Sequence, residues 1–356
     1  MRTSHYHITY IIEKVTPLKF RRLNIRKLPS PYREILEREV KNLKQRKDVV
    51  AIGLAGSVAR GDIWLGSDLD IEVIVKGKQP KKVVCTEQEI SVDYGYFGES
   101  QVKDVPHDTV PIYDPTGILT KTIRERSLKQ LWNKMIQRNM EHVEENLAKA
   151  KIVSVSQPYS ALCLTHRAGM GLGSGFILAT DMAPSIRRTP SKLEEAMAKI
   201  GRPDIFNKYL SLYGMPQTVS MVEFFYKQLE EGYKEIWQYF KDKSAGPIYM
   251  LQQPSSEPFF KNRIAPLYSY DKRDLVWIVY NEYHFVLQYI FRTIGKEDFP
   301  AEVFKELEGL SGSAAIWANR YHSLLELIPN REVPHLLKTA EELYNELKVL
   351  ASKIQN

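Results

Sequence analysis

The sequence predicts an α+β chain: a small mixed β-sheet domain with flanking helices, followed by a mostly α-helical domain. Three observations predict it. Residues 49–115 hold short apolar or alternating runs separated by Gly, Pro and polar turns, which is strand patterning. From Thr120 onward the apolar spacing becomes helical, with Pro158, Pro203, Pro216 and Pro247 as punctuation. A length of 356 residues suggests two domains. The expected division is a basic N-terminal arm over 1–30, a sheet domain over 31–119 and a helical domain over 120–356.

Composition narrows the class. Hydrophobic content of 43% and charged content of 26% are ordinary for a water-soluble globular chain. No apolar run approaches the roughly 18 residues of a membrane span. The start, MRTSHYHITY, lacks the apolar stretch and small-residue cleavage site of a secretory leader. Cys85 and Cys163 are too far apart in sequence to suggest a disulfide framework or a zinc site, and each reads as a buried thiol. The cytoplasm is the expected compartment. The net charge of +7 is uneven: residues 1–50 carry +8 and the rest −1. A basic arm of this kind suits nucleic acid, steering of an anionic nucleotide, or a solvated helix face.

Residues 4–13, SHYHITYIIE, read as a strand, with His5 and His7 exposed for want of a third metal ligand nearby. Ser30 is the expected cap of a helix running from Tyr32 to about Gln45, with Pro31 in its first turn. Its Ile35, Leu36, Val40 and Leu43 share a face and should pack on the back of the sheet. Val49–Ala55 reads as a buried strand, ended by Gly56-Ser57. A glycine there lets the backbone approach a ligand, and the short helix that follows offers free amides.

The next strand carries Ser67-Asp68-Leu69-Asp70-Ile71-Glu72-Val73. Strand side chains alternate, so Asp68 and Asp70 share one face while Leu69, Ile71 and Val73 face a core. Adjacent carboxylates repel, and a divalent cation relieves that repulsion. Glu72 shares their face one strand step further on and reads as solvated or, at most, as a group lying behind the metal-holding acids. A strand over 89–97 puts Ile90, Val92, Tyr94 and Tyr96 on one face and Asp93 on the other. If it lies beside the first, Asp93 joins the pair. Three acids around two cations about 3.5–4 Å apart form a clamp for in-line displacement at phosphorus.

Gly56-Ser57-Val58-Ala59-Arg60-Gly61-Asp62, then Ser67-Asp68-Leu69-Asp70, then Asp93, resembles the signature of the polymerase-beta-like nucleotidyltransferase superfamily. The spacing looks closest to its minimal and aminoglycoside (kanamycin-type) members. Val110–Gly117 looks like the strand and turn that close such a domain. The resemblance is specific over 49–97 and loose beyond. It implies that Asp68, Asp70 and Asp93 are the catalytic, metal-holding acids, with two Mg2+ ions, or Mn2+, as cofactors. It implies that Gly56 and Ser57 touch the triphosphate of an NTP, with ATP expected, and that Ser67 contacts phosphate. Arg60 matches the motif as a nucleotide-side residue or as a structural one.

His107 reads as a surface residue of the loop before residue 110. In the helical part, Leu128 to Leu147 fit one helix or a broken pair. Pro158 opens a helix containing Gly169, Gly171, Gly173 and Gly175. No strand precedes these glycines and they do not fit GxGxxG, so close helix packing or a bend explains them better than a phosphate loop. Ser191 and Glu194 have capping-box spacing. Val219–Phe240 reads as a long amphipathic helix and Asp271–Ile294 as the central helix of its domain. Segments 302–310, 313–328 and 334–354 close the bundle.

The expected activity is transfer of a nucleoside monophosphate from an NTP to a hydroxyl acceptor, with release of pyrophosphate. The layout resembles antibiotic nucleotidyltransferases, so the first acceptor to consider is a small molecule such as an aminoglycoside. The alternatives are an RNA-directed enzyme of tRNA or poly(A) type, a protein adenylyltransferase, and a non-catalytic nucleotide-binding module. The oligomeric state and the general base stay open.

Overall fold

The computed structural model describes residues 25–79, 82–86, 90–253, 255–296 and 299–355. The expected strand at 4–13, with His5 and His7, lies outside the described residues, as do Glu89 and the side chain of Cys85.

Helix α1 (Ser30–Lys44) leads into a five-stranded sheet of β1 (Val49–Ala55), β2 (Leu69–Val75), β3 (Lys82–Thr86), β4 (Val92–Gly98) and β5 (Val110–Tyr113). The spatial order is β3-β4-β2-β1-β5. β2 and β4 are parallel, and the remaining pairs are antiparallel. The fold is therefore α+β with a mixed sheet, as the patterning predicts.

Both faces of the sheet are covered. Ile35, Leu36, Val40 and Leu43 of α1 cluster with Leu69, Ile71, Val73 and Val92 on one face. Leu36, Ile71 and Val73 are fully buried, each worth about 1.5–3 kcal/mol relative to exposure. On the other face Ile74 and Phe97 pack with Val105 and with Leu119 of α3 (Ile118–Glu125). The Tyr32 hydroxyl on α1 is shared between the Trp64 and Ser67 carbonyls, 3.1 Å from each, which ties the loop before β2 to the helix.

Two helix starts differ from expectation. Ser30 is the first residue of α1 rather than its cap, because Pro29 and Pro31 already fix the entering backbone. The α6 helix (Thr189–Lys199) begins before Ser191, so the expected capping box does not form. Ser191 instead donates through its backbone N–H (3.0 Å) and its hydroxyl to Asp274. Glu194 pairs with Arg273 at 2.8 Å. The starts of α6 and of the helix Lys272–Thr293 are thereby joined, with Asp271 as the cap of the latter through Arg273 N–H at 2.8 Å.

The rest is helical. A single helix α4 (Leu128–Val153) packs along α5 (Pro158–Leu178). The α5 glycines are packing sites. A Cβ on Gly169 would lie 2.5 Å from the Tyr213 hydroxyl, and one on Gly173 would lie 2.6 Å from Thr189 Cγ2. The helix Lys272–Thr293 is buried almost all round, from Leu275 to Phe291, as a central helix should be. The long helices Val222–Lys243, Gly312–Leu325 and Val333–Gln355 complete the bundle, while 302–310 holds only the short helix Val303–Glu306. Among the described residues no helix is long and apolar enough to cross a membrane.

Candidate active site

Strand register brings the three predicted acids together. β2 and β4 run parallel with Asp70 opposite Asp93, and antiparallel β1–β2 pairing puts Ala55 opposite Asp70. One carboxylate oxygen from each of Asp68, Asp70 and Asp93 lies within 4.8 Å of the others. The Gly56 turn sits directly against them. Gly56 has φ +72°, and a Cβ there would lie 1.9 Å from Asp70 Oδ2. Only glycine combines that left-handed backbone with that approach. The short helix α2 (Gly56–Arg60) follows the turn.

Ser57 and Ser67 also meet, with the Ser57 hydroxyl donating to Ser67 Oγ at 2.9 Å. Ser67 Oγ accepts in turn from Trp64 N–H at 3.0 Å. Arg60 is placed differently: its guanidinium pairs with Asp108, in the loop before β5, so it ties the α2 turn to that loop. His107 beside it is half-buried rather than a surface residue, and burial pulls its pKa down.

Glu72 corrects a second expectation. It is 6% exposed, not solvated. Its carboxylate occupies the space opposite Gly95, where a Cβ would lie 2.1 Å from Oε2. Removing the side chain at 95 is what lets a carboxylate lie there.

The helical part completes the site with residues that no motif marks. Arg187, in the stretch between α5 and α6, donates through Nη2 to Asp68 Oδ2 at 3.0 Å and through Nη1 to the Gly66 carbonyl at 3.3 Å. Arg263, on a π-helical turn (Phe260–Ile264), grips Asp93 with both arms of its fork, Nη2 to Oδ1 at 2.6 Å and Nη1 to Oδ2 at 3.1 Å. Its Nη1 also lies 3.3 Å from Asp68 Oδ2. Next to them Asp62 pairs with Lys192 at 2.9 Å and Arg188 at 3.4 Å. Trp64 inserts into the helical core, its ring 5.6 Å from that of Tyr270.

The electrostatics of the acids diverge. Burial opposes ionisation of Asp68, but the charges of Arg187 and Arg263 outweigh it and hold the carboxyl below its usual range. Among the described residues no guanidinium pairs with Asp70. Burial, then the charges of Asp68, Asp93 and Glu72, push Asp70 well above the usual range. An all-oxygen set whose central carboxylate Arg187 relieves only in part fits a hard divalent cation such as Mg2+, which carboxylates and phosphates hold together.

Residues 33–132 match the family described as nucleotidyltransferase domain. Over those residues the chain is similar to a nucleotidyltransferase domain. No curated protein matches the chain. The domain's matched segment contains the Gly56 turn, all three acids, Ser67 and Arg60. It excludes Arg187 and Arg263, so part of the site's charge comes from outside the family's own segment.

Proposed function

We propose that the protein transfers a nucleoside monophosphate from an NTP, with ATP the first candidate, to a hydroxyl group. In this reading 31–119 is the catalytic unit and 120–356 builds the acceptor cleft. The observation that carries it is the closure of the Asp68–Asp70–Asp93 cluster onto the Gly56 turn. Polyphosphate-binding backbone and cation-binding carboxylates then share one locus, as phosphoryl chemistry needs.

The side-chain roles follow. The bare Gly56-Ser57 turn admits the phosphates at van der Waals distance, and the facing hydroxyls of Ser57 and Ser67 donate to their oxygens. Asp68, Asp70 and Asp93 would hold the divalent cations, two Mg2+ or Mn2+, which when bound neutralise phosphate charge and make an acceptor hydroxyl a better nucleophile. The acceptor oxygen attacks the α-phosphorus as its proton passes to solvent or to a general base, the bond from that phosphorus to the bridging oxygen breaks, and pyrophosphate leaves with the electron pair. Most of the rate gain is positioning and charge placement, since the protein forms no bond to the substrate.

A small hydroxylated molecule, an aminoglycoside among them, is the acceptor class we favour, on the strength of the large helical unit beside the site. The net +8 of residues 1–50 supports RNA as a second acceptor class. The test is incubation with each α-labelled NTP, Mg2+ and panels of aminoglycosides, RNAs and proteins. Covalent label on one panel, with release of pyrophosphate, is expected. RNA binding that collapses with salt, together with labelled RNA, would move the assignment to the second class. Metal-dependent nucleotide binding with no transfer to any panel would contradict the enzymatic reading.

A further inference from the structure

We infer that Arg187 and Arg263 make cation binding and nucleotide binding depend on each other by exchanging partners. The inference rests on the proposed nucleotidyl transfer. In this structure the two guanidiniums pair with Asp68 and Asp93, the carboxylates the cations need. Arg263 is 5% exposed, and a buried guanidinium keeps its charge, so it must face an anion in every state of the site.

Formal charge shows why the exchange is coupled. Asp68, Asp70, Asp93 and Glu72 set against Arg187 and Arg263 leave two net negative formal charges at the site. Two divalent cations entering alone would turn that into two net positive charges and take Asp68 and Asp93 away from both arginines. A polyphosphate arriving with the cations removes the conflict, because it offers the bidentate oxygens that a guanidinium fork matches. Cations alone therefore compete with the arginines, and cations with nucleotide do not.

The local backbone suits such a change of partner. Arg263 lies on a π-helical turn, a form that recurs at functional sites. Arg187 lies in an irregular stretch before α6. Neither sits in the middle of a regular α-helix, so a guanidinium can move from carboxylate to phosphate without a helix unwinding.

Calorimetric titration tests this with Mn2+ alone, and with Mn2+ plus adenosine 5′-(α,β-methylene)triphosphate, an analogue that cannot transfer its nucleotidyl group. The parent protein should bind Mn2+ alone weakly, and the analogue should tighten it. Arg263→Gln and Arg187→Gln should each bind Mn2+ alone more tightly, by about tenfold for one lost charged competitor. The same variants should bind the analogue in Mn2+ about tenfold more weakly. A purely structural role would move both affinities the same way, and that result, or no change in either, overturns the exchange while leaving nucleotidyl transfer intact. A parent protein that binds no Mn2+–nucleotide overturns both. Arg187 is the more exposed of the two, so Arg187→Gln decides the matter if Arg263→Gln fails to fold.

Discussion

The two halves of the site are assembled by different means. The sheet half takes its groups from 38 consecutive residues, Gly56 to Asp93, and strand register alone aligns them. The helical half takes Arg187 and Arg263 from segments far apart in sequence and aligns them only through packing of the bundle. The negative groups are thus fixed by local rules and the positive groups by tertiary structure. Damage to the first should remove chemistry with little loss of stability. Damage to the second should cost stability first.

The sharpest way to break this contrast is Asp70→Asn. It keeps the side-chain shape and removes the charge that Asp68, Asp93 and Glu72 repel. Transfer should fall by roughly a thousandfold or more, the scale of losing a main electrostatic group. The melting temperature should not fall. Unchanged activity would contradict the sheet half of the account.

The helical half has its own titration. Asp274 is fully buried, and burial raises its pKa to about 7 despite the hydrogen bonds from Ser191. Asp271 adds to the rise and Arg188 opposes it. An acid whose folded pKa exceeds its unfolded value loses stability as pH climbs between the two. The protein should therefore lose at most about 4 kcal/mol between roughly pH 4 and 7 from this group. Thermal melts across that range should flatten in Asp274→Asn; an equal slope would place the titration elsewhere.

Gly56→Ala tests the fit within the sheet half. A methyl group at φ +72° lies on top of Asp70 Oδ2, so the turn or the carboxylate must move. A displacement of this kind should cost about a hundredfold in transfer and, through the left-handed backbone, about 1 kcal/mol of stability. Gly173→Ala is the matching change in the bundle, forced against Thr189 and Tyr209. Overpacking should lower stability by about 1–3 kcal/mol while kcat in the surviving folded protein stays close to parental. Comparing melting temperature with rate for these two glycines separates site from scaffold.

The contrast also explains what the sequence shows. Asp68, Asp70 and Asp93 are legible because a period of two and one parallel pairing are enough to bring them together. The Gly169–Gly175 series is legible as packing because no strand precedes it. Glu72 is not: its burial depends on the gap that Gly95 leaves on the neighbouring strand, and a pairing register is needed to see it. Ser191 has the residues of a capping box, but Arg188-Thr189-Pro190 starts α6 one turn earlier and frees Ser191 for Asp274. Arg263 sits in Phe260-Lys261-Asn262-Arg263-Ile264, where nothing local distinguishes it from a solvated arginine. Only the bundle's packing carries it to Asp93.

Crystals grown with Mn2+ and the α,β-methylene analogue test the central claim most directly, through the anomalous scattering of manganese. The account predicts manganese among Asp68, Asp70 and Asp93, with the phosphates against Gly56 and Ser57. Manganese bound away from these carboxylates, or a nucleotide seated apart from that turn, would contradict it.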